Sequence, residues 1–181
     1  MMGWAWLVWL LLALAFFWGV GAYNRLLRLR NAIGAAYAQF DEALSQRASL
    51  CTQLQAELRP VLVNEQATFD ALETAQAEAE NAALWVRARP YAGDPVAALA
   101  VAVAVHAAAV TRLISLVEHH GELGERPEIF AQVDELKLVE RHRAFARQVF
   151  NKAVVSYNEA LEQFPTRILV GLFGFREARS L

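Results

Sequence analysis

The most chemically unusual residues in this sequence are charges standing in apolar seams. Arg47 interrupts a run of Ile33, Tyr37, Phe40, Leu44, Cys51, Leu54 and Leu58, spaced alternately by four and three. Glu140, Arg143 and Arg147 take successive slots in a second run, between Val133 and Leu136 on one side and Phe150, Val154, Tyr157, Leu161 and Phe164 on the other. Three-four spacing is the signature of helices packed along a seam. A charge left there without a partner costs on the order of several kcal/mol. The spacing therefore predicts a buried polar layer of Arg47, Glu140 and Arg147, in which Glu140 pairs with one of the two arginines. The competing reading sends these long side chains to the edge of the helix pack.

Catalytic patterns are poor. A carboxylate-bridged di-metal centre in a helical bundle needs Glu-x-x-His pairs facing inward, and the sequence has none. His119 and His120, beside Glu118 and Glu122, read as a surface cluster at a helix C-terminus, where cationic rings suit the dipole. Their spacing fits no common zinc pattern. His106 falls on an apolar seam and reads as a hydrogen-bonded core or edge histidine. Cys51, the single cysteine, reads as a small buried hydrophobe with nothing to activate it. The "GLFG" stretch follows no strand and opens no predicted helix, so it is no phosphate loop. No catalytic residue, metal ligand or cofactor site is expected, and the chain is read as a non-enzyme.

The elements that hold these residues are helices. The chain has 181 residues, is 56% hydrophobic and carries a net charge of −2, which offers nothing to nucleic acid. "WAWLVWLLLALAFFWGVGA", Trp4 to Ala22, is uncharged. As a helix it covers about 28 Å, close to the hydrocarbon thickness of a bilayer. Trp4, Trp6, Trp18 and Tyr23 suit its two interfaces. A cleaved signal peptide would need a basic start and a shorter apolar run, so an uncleaved anchor is the preferred reading. Arg25, Arg28 and Arg30 follow the span, and positive charge favours the cytoplasmic side.

Four helical segments follow. The first runs from about Asn24 to Leu58 and continues the anchor without a break. Pro60 marks a turn, with a kink as the alternative. The second runs from about Leu62 to Ala88, with Leu62, Phe69, Leu72, Ala79, Ala83 and Val86 in phase. "RPYAGDP" is a loop rich in breakers. The third starts near Val96 and sets Val96, Leu99, Val103, His106, Val110, Leu113 and Val117 on its seam. "HGELGERP" is the second loop, and the fourth segment runs from about Glu128 to Pro165. Short loops make neighbours antiparallel. The expected fold is all-α: an anchor over 1–23, an up-down-up-down four-helix bundle over 24–165, and an apolar tail over 166–181.

Two stretches resemble a known family. "YNRLLRLRNAIGAAYAQFDEALSQR" presents Tyr23, Asn24, Leu29, Arg30, Asn31, Gln39, Asp41, Leu44, Arg47 and, just beyond, Leu50. "ARQVFNKAVVSYNEALEQFPTRILVGLFGF" presents Ala146, Arg147, Phe150, Asn151, Tyr157, Asn158, Phe164, Pro165, Leu172, Phe173, Gly174 and Phe175. Together they resemble the LemA family of bacterial membrane-anchored proteins. The departures are Tyr37 where a Trp is usual, Gln46 for the first of two basic residues, and Thr52 near a usual Pro. The resemblance implies an N-terminal anchor, a helical bundle and the bacterial inner membrane, and no established biochemical activity.

The expected role is a single-pass membrane-anchored interaction or scaffold protein. The alternative is an accessory subunit of a membrane protease or transport complex. Its partners are the lipid bilayer and an unidentified membrane-associated protein, with self-association left open. The closing stretch "FPTRILVGLFGF" supplies the contact. Ile168, Leu169, Leu172, Phe173 and Phe175 are the candidate membrane or partner residues, flanked by Arg167 and Arg176 as suits an anionic surface. The rival for this stretch is an internal clasp closing the bundle.

Overall fold

The computed structural model describes residues 5–164 and 166–181, with the side chains of Ala5 and Leu169 outside that description. Trp4 and Pro165, used above as an interface anchor and a helix stop, also lie outside the described residues. The described residues form six α-helices and no strand. They are α1 (Ala5–Leu58), α2 (Gln66–Ala88), α3 (Gly93–His119), α4 (Gly121–Gly124), α5 (Pro127–Glu162) and α6 (Thr166–Phe173). Gly174 is a turn, and residues 175–181 run on without helix or strand.

The α1 helix runs unbroken for 54 residues, about 80 Å, through the 23/24 boundary. Its first third is apolar on every side, and the large side chains from Trp6 to Val20 are 41–72% exposed. From Leu26 onward one stripe alone is buried. Pro60, which has no amide hydrogen and disfavours helix at Arg59, ends α1 in a turn. Arg59 braces that turn by reaching Asp70 and Glu73 at 3.3 and 2.9 Å. Leu62 is buried but not helical, and a short 3-10 turn at Val63–Glu65 precedes α2. The second helix thus begins four residues later than its seam suggests. The third begins three residues earlier, at Gly93, because Pro95 falls in a first turn whose amides have no intrahelical partner anyway. Pro127 opens α5 for the same reason.

The α1 helix packs chiefly along α5, and α2 along α3. Buried residues gather at two successive levels. One cluster joins Leu26–Leu44 of α1, Ala79–Val86 of α2, Val96–Val103 of α3 and Ala146–Leu161 of α5. The other joins Leu50–Leu58 of α1 with Phe69, Leu72, Val110–Val117 and Ile129–Val139. All seven seam residues named on α3 are buried. The α5 seam needs two corrections. Phe164 lies beyond the helix end and is 80% exposed, and Val139 and Ala146, next to the charged slots Glu140 and Arg147, are buried. Seam residues can leave the core where a helix ends, because the 3.6-residue period that aligned them stops.

Both α1 and α3 are long and apolar enough to cross a membrane. They differ in what they bury. None of the apolar window of α1 is buried within the protein, against 28% of that of α3.

Candidate functional site

Between the two apolar clusters lies one polar layer. Arg47 is fully buried and donates to Glu140 Oε1 at 3.0 Å. Arg143, one turn along α5, donates to Glu140 Oε2 at 2.9 Å through Nη2 and at 3.2 Å through Nε. The carboxylate is thus held between two guanidiniums. On the opposite flank, Arg47 Nη2 meets His106 Nδ1 at 2.8 Å. A guanidinium can only donate, so Nδ1 accepts and the ring proton sits on Nε2. Nε2 is buried and has no partner among the described residues.

Burial pulls the Arg47 guanidinium below its ordinary value, and Glu140 offsets part of that. Burial pushes the Glu140 carboxyl up, but hydrogen bonds and charge from Arg143 and Arg47 outweigh it and hold it below the usual carboxylate range. Burial, reinforced by Arg47, pushes the His106 imidazolium down to about 3, so the ring is neutral at physiological pH. Burial raises the Cys51 thiol to about 12, leaving no thiolate at neutral pH.

Arg147 does not belong to this layer. It is exposed, and its Nε donates to the Leu181 main-chain oxygen at 2.8 Å. At seven residues from Glu140 it stands two helical turns away, about 10 Å, whereas Arg143 stands on the next turn. His106 is the member that charge patterning missed, although its seam position was the available signal.

The second feature is the end of the chain. Gly174, at φ +68°, donates its amide to Val170 and turns the backbone out of α6. This left-handed conformation costs a residue with a Cβ about 1–2 kcal/mol. The extended segment then runs back along α5. Asn158 receives the Ala178 amide at 2.9 Å and donates to the Ala178 carbonyl at 2.8 Å. Asn151 does the same for Leu181 at 2.8 and 3.0 Å. Seven helical residues rise about 10.5 Å and three extended residues about 10 Å, so the two amides match the extended repeat. Phe175, Ala178 and Leu181 are buried in the first cluster.

Phe175 is therefore core, 8% exposed against Tyr23, and unavailable as a membrane or partner contact. Ile168, Leu172 and Phe173 are 56%, 73% and 59% exposed. They stand beside the end of the apolar part of α1, with Tyr23 5.0 Å from Phe173 and Trp18 6.1 Å from Phe164 between ring centroids. The segment from Gly174 onward is an internal clasp, and α6 presents an outward apolar face. Of the basic residues after the apolar stretch, Arg25 is bonded to Gln163 and Arg30 to Tyr91, while Arg28, Arg167 and Arg176 are exposed.

The clasp makes a direct prediction. Asn158→Ala removes two hydrogen bonds, worth about 0.5–1.5 kcal/mol each. Exchange of the Ala178 amide should accelerate roughly tenfold per 1.4 kcal/mol lost, while amides of α3 keep their protection. Unchanged exchange at Ala178 would mean that the clasp does not hold the tail.

The other two histidines of interest close α3. His120 Nδ1 donates to the Leu116 carbonyl at 2.9 Å, and both rings are exposed. No metal-binding group of three or more His, Cys, Asp or Glu side chains occurs among the described residues.

These observations define an all-helical protein whose longest helix begins with a candidate membrane span and whose last segment is clasped to its core. The chain belongs to the LemA family, whose profile matches residues 36–181. No curated protein matches it.

Proposed function

We propose that this chain is a non-enzymatic, single-pass scaffold of the bacterial inner membrane. The start of α1 spans the bilayer, and the four long helices form an antiparallel up-down-up-down bundle on the cytoplasmic side. The outward face of α6 lies at the bilayer surface and receives a membrane-associated partner. The observation that carries this reading is the uncharged stretch of α1, exposed all round, with α6 beside its end. A helix apolar on every side needs an apolar environment. An amphipathic helix flanked by arginine suits the headgroup boundary of an anionic membrane. A non-enzymatic role is supported by the polar layer, where Arg47 and Arg143 take up both oxygens of Glu140. The same α6 face equally fits an accessory subunit docked on a membrane protease or transport complex.

Cys51 is buried, so a single introduced cysteine can be labelled selectively. An environment-sensitive fluorophore on Leu172→Cys should shift to the blue in nanodiscs containing anionic lipid alone. A blue shift seen in native membranes only would identify a protein contact and the accessory-subunit role. No shift in either would remove the membrane-surface function of α6. For orientation, Lys152→Cys is exposed and should resist an impermeant maleimide in intact cells and react once the inner membrane is opened. Labelling in cells with only the outer barrier breached would place the helical body outside the cytoplasm.

A further inference from the structure

The α1 and α2 helices stay apart over part of their length. Ser45, Ala48 and Ser49 on α1 face Ala79 and Ala83 on α2, and these small side chains leave a groove of about 440 Å³. His106, from α3, also lines it. The Asp41–Arg87 ion pair, at 2.8 Å, lies toward one end and the Gln76–Thr52 contact, at 3.5 Å, toward the other. Asp41 and Thr52 are about 16 Å apart along α1. A groove of this size falls within the range that small molecules occupy.

His106 makes the groove chemically specific. The residue is 2% exposed. Arg47 takes its Nδ1, which leaves Nε2–H as a buried donor without an acceptor among the described residues. An unmet donor of this kind is costly and is relieved when an acceptor arrives. A metal ion is a poor fit, because one ring nitrogen is engaged by a cation and the other carries the proton. An anion is disfavoured by the lining, where Asp41 and Glu80 outnumber Arg87. We propose that this groove binds a small neutral molecule bearing a carbonyl or hydroxyl oxygen on a short apolar body, a primary amide or alcohol, with that oxygen accepting from His106 Nε2–H. The alanines receive the apolar part. Gln76 Oε1, without a partner among the described residues, offers an acceptor further along.

The probe is propionamide, with propionate as its charged counterpart. The full chain, labelled with ¹⁵N-histidine and held in nanodiscs, is titrated with each, and the His106 resonances are assigned from the spectrum of His106→Gln. Propionamide should move the Nε2 resonance saturably in the millimolar range, and propionate should not. Ser49 is exposed on the groove wall. Ser49→Leu should abolish the response while leaving the Nδ1 shift, which reports the Arg47 bond, in place. A linear or absent response, an equal response to propionate, or a response that survives Ser49→Leu overturns the proposal. So does a long-lived water on Nε2–H that propionamide fails to displace, since the groove would then be a hydration site.

Discussion

Replacing Glu140 with alanine lowers the stability of the helical body by about 3–5 kcal/mol, the cost of breaking a buried ion pair from one side. Arg47 is fully buried and its Nε already has no partner among the described residues. Without Glu140 its charge has a neutral imidazole on one flank and Arg143 on the other. Glu140→Gln keeps an acceptor oxygen in place and costs less. Arg47→Met also costs less than Glu140→Ala. In that variant Glu140 keeps Arg143 and its partial access to water, and an apolar side chain replaces a buried charge. Denaturant titration of the full chain in nanodiscs, read through hydrogen exchange of core amides, gives the three values. A change under about 0.5 kcal/mol for Glu140→Ala, as at exposed sites, would show that the layer contributes nothing to stability.

Stability also falls as pH drops below about 6.5, before most carboxylates titrate. The His106 imidazolium is pushed down to about 3 from an ordinary 6.5. Its folded value is depressed, so the unfolded chain binds the proton first. The contribution is complete above pH 6.5 and declines from there toward pH 3, at about 1.4 kcal/mol per pH unit. At pH 4.5 roughly 2–3 kcal/mol is gone. The charged groups facing the ring are Arg47, Glu140 and Arg143. Glu140, with its folded value also depressed, adds its own loss only at still lower pH, as its carboxylate protonates. His106→Gln retains an acceptor for Arg47 and removes the titration. The variant should be nearly flat between pH 6.5 and 4.5. An equal slope in both proteins would assign the pH dependence to other groups.

Such a layer contributes specificity as well as stability. An ion pair that must meet at one level forbids helices from sliding by a turn, as a polar residue in a coiled-coil seam fixes register. Here it separates two apolar clusters whose alanines and leucines would tolerate other registers.

The helices and their buried faces are legible in the residue pattern. The 3.6-residue period puts every third or fourth apolar residue on one side, so the α3 seam from Val96 to Val117 could be read without a partner in view. The meeting of Arg47 and Glu140 could be anticipated because both stand about 35 Å from the same end of an antiparallel pair. Helix starts were less legible, since a seam runs on through a turn, as Leu62 does, buried but outside α2. Which arginine completes the layer depends on how the chain packs. Arg143 and Arg147 share a face by spacing, and only the return of the extended segment takes Arg147 to Leu181. The same return buried Phe175 and left Leu172 exposed within one apolar run. Asn151 and Asn158 carry the signal for that return in their spacing of seven. It means nothing until an extended segment of matching rise lies beside them, because a hydrogen-bond partner 20 or 30 residues away leaves no periodicity of its own.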